Sequence, residues 1–194
     1  MTLTELEQQY PGLFEPAACQ SPSEAERYAD WVAAKAGLTI RSGSWTGESG
    51  TRHVEYRNPP GTLQLRVEIF ADQTSRHSTP SWLFSFSAER VDARLTANSP
   101  HAVRVKPSSF QREARDLITR LRSLKVKEGR VSGRVQKWNA AKGTGWIECL
   151  PGALVSIDAG ELKGLKITYR DWLSFQVEKS ASCQKAVNVR RCSH

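Results

Sequence analysis

No part of the 194-residue sequence approaches the roughly 18–20 consecutive apolar residues that a membrane-spanning helix needs. The opening run, MTLTELEQQYPGLFEP, carries acids where a secretory signal would carry positive charge followed by an apolar stretch. A cytoplasmic protein with no membrane partner is therefore expected. Cysteine is sparse and scattered: Cys19, Cys149, Cys183 and Cys192 form no C-x-x-C pair, so neither a zinc knuckle nor a redox motif is supported. Cys183, Cys192 and His194 could meet around a metal near the C-terminus. Their spacing matches no standard site, however, so separate reduced thiols are the expectation, with no metal and no cofactor. Catalytic signatures are missing as well. There is no G-x-x-x-x-G-K-[ST] loop, no G-x-S-x-G elbow and no H-E-x-x-H helix, and the H-x-E triplet at residues 53–55 lacks the P-C-x-x-C partner of zinc deaminases. The chain is not expected to be an enzyme.

What is present is uneven. The formal charge is +8, but residues 1–124 hold 15 Lys and Arg against 14 Asp and Glu, whereas residues 125–194 hold 13 against 6, a net of +7. Excess positive charge attracts polyanions and supports nucleic-acid binding without choosing a sequence. The asymmetry also argues for two functional units, and a chain of this length can bury one large core or two small ones.

In the first part, Ser21-Pro22-Ser23-Glu24 combines a serine cap, proline in the first turn and glutamate three residues after the cap, which predicts a helix start. Ala25, Tyr28, Ala29, Val32 and Ala36 follow at helical spacing, and Gly37 can end the helix. Downstream, Leu63, Leu65, Val67 and Ile69 alternate with Gln64, Arg66 and Glu68, the period of a half-buried strand. Strands are also predicted near Thr51–Arg57, with Val54 and Tyr56 on one face, at Trp82–Ser87, and at Leu38–Trp45. A second amphipathic helix is predicted from Ser108 to Leu124, with Phe110, Ala114, Leu117, Ile118, Leu121 and Leu124 as its apolar stripe. Residues 1–124 thus read as a helix–antiparallel sheet–helix α+β domain. His53 and Glu55, with Arg66 and Glu68 on the next strand, could hold a metal for phosphodiester hydrolysis, although alternating charges on a solvated sheet face are far more common. The element order is loosely similar to that of a double-stranded-RNA-binding domain, but the last helix has no lysine-rich start with which to grip phosphates.

Residues 125–130 (KVKEGR) form a short basic connection. From Val131 onward, five β-rich segments fall within about 60 residues: the strand pair around the N-A-A-K-G turn at 139–143, then Ala153–Ile157, Trp172–Val177 and Ala186–Arg190. Strands this short escape the open-edge problem by closing into a barrel.

The run GRVQKWNAAKGTGWI at residues 133–147 resembles the first two strands of bacterial cold-shock proteins, G-x-V-K-W-F-N-x-x-K-G-F-G-F-I, in register and without a gap. Asp171–Val177 is similar to the fourth strand of that family, and Ala186-Val187-Asn188-Val189 to its closing strand; the likeness falls in three ordered blocks between residues 133 and 189. The resemblance implies a five-stranded oligonucleotide-binding (OB) barrel over residues 131–194 that holds single-stranded RNA or DNA, stacking bases on aromatics and balancing phosphates with lysines. The sequence departs from the pattern at Lys137, at Thr144, and in the third strand, where the stacking positions read Leu154, Ser156 and Ile157. The expected nucleic-acid contacts are Arg134, Lys137 and Lys142 to phosphates, with Trp138 and Trp146 as base platforms. The overall expectation is a non-enzymatic binder of single-stranded nucleic acid with low sequence specificity, and a protein partner contacted through the N-terminal domain. Two alternatives stand beside it: a protein-interaction adaptor or inhibitor whose barrel presents Leu154 and Ile157, and a metal-dependent nuclease built on the N-terminal sheet.

Overall fold

A computed structural model describes residues 19, 21–47, 49–72, 81–98, 104–180 and 183–192. The architecture is mixed α+β: an antiparallel five-stranded sheet with two helices, and a closed five-stranded barrel. Of the described residues, those within 1–88 and 98–119 form one compact unit, and those within 89–97 and 120–194 the other.

Helix α1 (Pro22–Lys35) starts where the serine–proline–glutamate signal places it. The Ser21 side chain accepts a hydrogen bond from the Glu24 N–H at 3.1 Å, satisfying one of the unpaired amides of the first turn. The helix ends as the Gly37 N–H donates back to Ala34. Its buried face carries Ala25, Tyr28, Ala29, Trp31, Val32 and Ala33. The sheet runs in chain order, β1 (Ile40–Thr46), β2 (Arg52–Arg57), β3 (Leu63–Ala71), β4 (Trp82–Arg90) and β5 (Leu95–Asn98). Strand β5 adds to the strands expected from the sequence, because four residues after the single turn at Val91–Ala93 carry too little alternation to read. Strand β1 also differs from its neighbours in that it buries none of its own side chains.

The apolar stripes are buried as their periods predict, with two departures: Leu124 lies beyond the end of its helix and is only half-buried, and Gln64, on the polar side of its alternation, is buried as well. Val54 and Tyr56 on β2, and Leu63, Leu65, Val67 and Ile69 on β3, are buried. Helix α2 (Pro107–Ser123) buries Phe110, Ala114, Leu117, Ile118 and Leu121. Phe110 is the hub of this core: it stacks on Phe84 at 4.5 Å between ring centroids and meets Phe86 edge-on at 5.2 Å. Tyr28 packs at 6.2 Å from the Phe110 ring and gives its hydroxyl hydrogen to the Pro107 carbonyl at 2.9 Å. Burial first, and then the nearby Cys19, push the Tyr28 phenol up to about 12, so this hydrogen bond persists across the physiological range.

The barrel comprises β6 (Arg130–Asn139), β7 (Thr144–Leu150), β8 (Ala153–Asp158), a single helical turn α3 (Ala159–Leu162), β9 (Trp172–Lys179) and β10 (Gln184–Arg191). The strand order around the barrel is β10-β8-β7-β6-β9, closed by antiparallel pairing of β9 with β10, and β8 meets β10 in parallel at Ser156 and Lys185. Val131, Val135, Ile147, Val155, Leu173, Phe175 and Ala186 fill the interior. Two glycines let the sheet curl this tightly. A Cβ on Gly133 would lie 2.6 Å from Ile147 Cγ2, and one on Gly145 would lie 2.3 Å from the Lys137 carbonyl oxygen. Real side chains cannot approach that closely, so both positions must lack one.

Gly145→Ala should therefore destabilise the protein by about 1–3 kcal/mol through forced displacement of β6, and Phe110→Ala by about 3–5 kcal/mol through the cavity it leaves. Urea unfolding monitored by circular dichroism measures both. An unchanged midpoint for Gly145→Ala would contradict the close approach of β6 and β7.

Candidate nucleic-acid interface

The outer face of the barrel is organised by an irregularity in β6. Arg134 pairs with Glu148 and Val135 with Ile147, but the next rung joins Lys137 to Trp146, leaving Gln136 as an extra residue. A bulge of one residue exchanges the two faces of a strand beyond it. Before the bulge Arg130, Ser132 and Arg134 alternate with buried Val131, Gly133 and Val135; after it Lys137 and Asn139 are exposed and Trp138 is half-buried. Gln136 gives its side-chain amide hydrogen to the Glu148 carboxylate across the bulge.

The five residues expected to contact nucleic acid separate accordingly. Lys137, Lys142 and Trp146 share one open depression of about 380 Å³, together with Asn139, Ser156 and Lys185. Trp146 leaves 44% of its surface exposed there. Lys142 reaches it from the turn at 139–143, where its N–H donates to Asn139 Oδ1 at 3.1 Å and the Gly143 carbonyl accepts from the Ala159 N–H at 2.7 Å. Gly143 sits at φ 63°, in the left-handed region. Arg134 is exposed but lies outside the depression, on the rung shared with Glu148 and Trp172. Trp138 is half-buried and its ring lies against Gly145, with Cε3 only 2.9 Å from where a Cβ would be. Its ring therefore offers less open surface than that of Trp146.

The third-strand positions also divide. Leu154 is 48% exposed and Ser156 faces outward, giving its hydroxyl hydrogen to the Gln184 carbonyl at 2.9 Å. Ile157, in contrast, is only 2% exposed. Pairing of Ile157 with Gly145, an inward position, fixes it in the core, so it cannot form part of an exposed platform or docking surface.

Sequence reasoning missed Lys185 and Trp172. Lys185 holds Asp158 at 2.7 Å and Glu161 at 3.5 Å. The hydrogen bond from Lys185 is the main reason the Asp158 carboxyl is held below the usual carboxylate range, and the same bond raises Lys185. Trp172 was legible in principle. Leu173, Phe175 and Val177 are the inward set of β9, which puts Trp172 on the solvent face with Ser174 and Gln176.

Two metal hypotheses meet geometric obstacles. Cys183 and Cys192 flank the two ends of β10, so the strand separates them; His194 lies outside the described residues. On the N-terminal sheet, His53 and Glu68 face each other across β2 and β3 at 3.7 Å, and Arg66 holds Glu55 at 2.7 Å. Trp45 stacks flat on His53 with centroids 5.0 Å apart. These residues border a depression of about 480 Å³. Each carboxylate already faces a basic partner, and among the described residues no group of three or more His, Cys, Asp and Glu could hold a metal ion.

The cysteines make the placement of the strands testable. Burial, with a smaller contribution from a neighbouring glutamate in each case, pushes the Cys149 thiol up to about 12 and the Cys19 thiol up to about 11, while Cys183 is exposed. Only the thiolate reacts, so a thiol reagent near neutral pH should label Cys183 promptly, the half-buried Cys149 more slowly, and the buried Cys19 only on unfolding. Mass spectrometry of timed digests reads the order, and early labelling of Cys19 would contradict its burial.

No protein-family model matches this chain, and no curated protein is similar to it.

Proposed function

We propose that residues 131–194 form an OB-type barrel of the cold-shock kind that holds single-stranded RNA or DNA with low sequence specificity and catalyses no reaction. The observation that carries this reading is the pairing of Lys137 with Trp146 on the outer face, with Lys142 beside them in one open depression. An exposed indole offers a π-surface to any base, and two lysines within reach of the same cleft offer charge to the adjoining phosphates. The architecture supports it too. A five-stranded closed barrel is the arrangement the cold-shock resemblance implies. The +7 net charge of residues 125–194 adds a sequence-independent attraction for polyanions. In this reading the protein works in the cytoplasm, and the N-terminal sheet and helices supply contacts to a protein partner.

A second reading, a protein-interaction adaptor, draws on one observation: Leu154 stands 48% exposed beside the depression. A single aliphatic side chain is ordinary on a soluble surface, and it weighs less than a tryptophan framed by two lysines.

Fluorescence anisotropy of short labelled oligonucleotides, titrated with the full chain at two salt concentrations, separates the two. Binding should favour single strands over duplex and weaken steeply with salt. Replacing Lys137 and Lys142 by alanine should flatten the log–log salt slope by about 0.7 for each phosphate that is no longer neutralised. Trp146→Ala should weaken binding by about 1–3 kcal/mol with little change in slope. Glu148→Gln should tighten binding, because it removes a carboxylate from the face that the phosphates approach. Absence of binding at low salt would transfer support to the adaptor reading.

A further inference from the structure

The proposed strand-binding face lacks aromatics where its third strand would supply them, yet three exposed aromatics stand elsewhere on the barrel. Trp146 on β7, Trp172 on β9 and Tyr169 in the preceding loop are 44%, 45% and 57% exposed. Strand β6 connects them. Lys137 on β6 pairs with Trp146, and Arg134 on the same strand pairs with Trp172. Between those rungs Val135 receives a hydrogen bond from the Arg170 N–H and donates one to the Asp171 carbonyl, both at 2.9 Å. The loop is thereby stitched to β6 beside the bulge, between the two tryptophan rungs.

The turn that carries Tyr169 is built rather than incidental. Asp171 accepts from the Thr168 N–H at 2.9 Å through its carboxylate, and its own N–H donates to the Thr168 carbonyl at 3.2 Å. Arg191 adds a contact to Asp171 at 3.5 Å and donates to the Lys166 carbonyl at 2.8 Å. Arg170 adopts φ 73°, an uncommon conformation for a residue with a side chain, and places its guanidinium 5.1 Å from the Tyr169 ring centroid. Arg134, Lys137 and Arg170 line this path together with the aromatics, and Arg134 and Arg170 are exposed. Glu148 sits on the same face, with its carboxylate engaged by Gln136.

We infer that Tyr169 and Trp172 form a second base-stacking subsite, so that a single strand crosses the barrel from β7 over β6 to β9 instead of toward β8. The inference rests on the nucleic-acid reading proposed above and gives that site its direction. Adjacent strands lie about 4.8 Å apart, so the backbones of β7 and β9, with β6 between them, are about 10 Å apart measured along the sheet. Their rungs are offset along β6 by three residues, one of them the bulge, which adds about 7 Å of displacement along the strand. Because these strands belong to a closed five-stranded barrel, outward side chains on β7 and β9 diverge, so the two ring subsites stand farther apart than the backbones and only a strand that curves around β6 reaches both. A four-nucleotide ligand can fill the Trp146 depression, and a longer one reaches both subsites.

Fluorescein-labelled oligo(dT) of about four and about ten nucleotides, titrated against the full-length protein and its variants by anisotropy, tests this. Trp172→Ala and Tyr169→Ala should each weaken the longer ligand about tenfold and leave the shorter one unchanged. Trp172→Phe should restore most of the loss, since a ring remains, and also guards against a variant that fails to fold. Leu154→Ala should change neither affinity. The inference alone is overturned if Trp146→Ala weakens the longer ligand while the Tyr169 and Trp172 variants do not, or if Leu154→Ala weakens it, which would route the strand over β8. Failure of the unmodified protein to bind either oligonucleotide at low salt overturns the nucleic-acid reading and this inference together.

Discussion

The near-contact of β6 with β7 at Gly145, and the single extra residue at Gln136 that accompanies it, govern what the barrel shows to solvent. Closure requires the two backbones to approach until no Cβ fits between them. The bulge then lets β6 keep Val131, Gly133 and Val135 inside while turning Lys137 outward opposite Trp146. Without the extra residue the alternation would continue unbroken, Lys137 would point into the barrel and Trp138 would take the outer position. The same device therefore closes the core and frames the candidate site. This is a usual place for a bulge, since it re-aims one side chain without disturbing the rest of the ladder.

Charge and shape at that face point the same way. Lys185 is matched by Asp158 and Glu161, which leaves Lys137 and Lys142 as the cations bordering the open part of the depression. Stacking and phosphate contacts are complementary demands: one needs an exposed ring with a free face, the other a long flexible cation within a few ångströms of it. Trp146 meets the first and the two lysines the second. Trp138, with its ring against Gly145, is more covered than Trp146.

Much of this was legible in the sequence, for reasons that differ by element. Helix α1 announced itself through Ser21, Pro22 and Glu24 because a cap is a local device that needs no tertiary partner. Strand β3 and helix α2 were visible because each has one buried face long enough to establish a period. Strand β5 was not, since four residues after a tight turn owe their strand geometry to the neighbouring strand. The orientation of Trp138 was hidden because it depends on a bulge, and a bulge is a property of the pairing of two strands. Ile157 could have been placed correctly: Ala153, Val155 and Ile157 alternate with Leu154 and Ser156, and that period outweighs a positional likeness to a stacking residue. Trp172 carried the same signal in the opposite sense, as an indole on the polar side of an alternating strand.

The claim on which the account turns is that the outer face of β6 and β7 is where a single strand is held. A two-dimensional ¹H–¹⁵N spectrum of the full-length protein, titrated with unlabelled oligo(dT) at low salt, tests it most directly. The account predicts that the indole N–H of Trp146 and the backbone amides of Lys137 and Lys142 shift together and saturably, while those of α1 and β1–β3 stay in place. Shifts confined to the N-terminal sheet, or none anywhere, would contradict it.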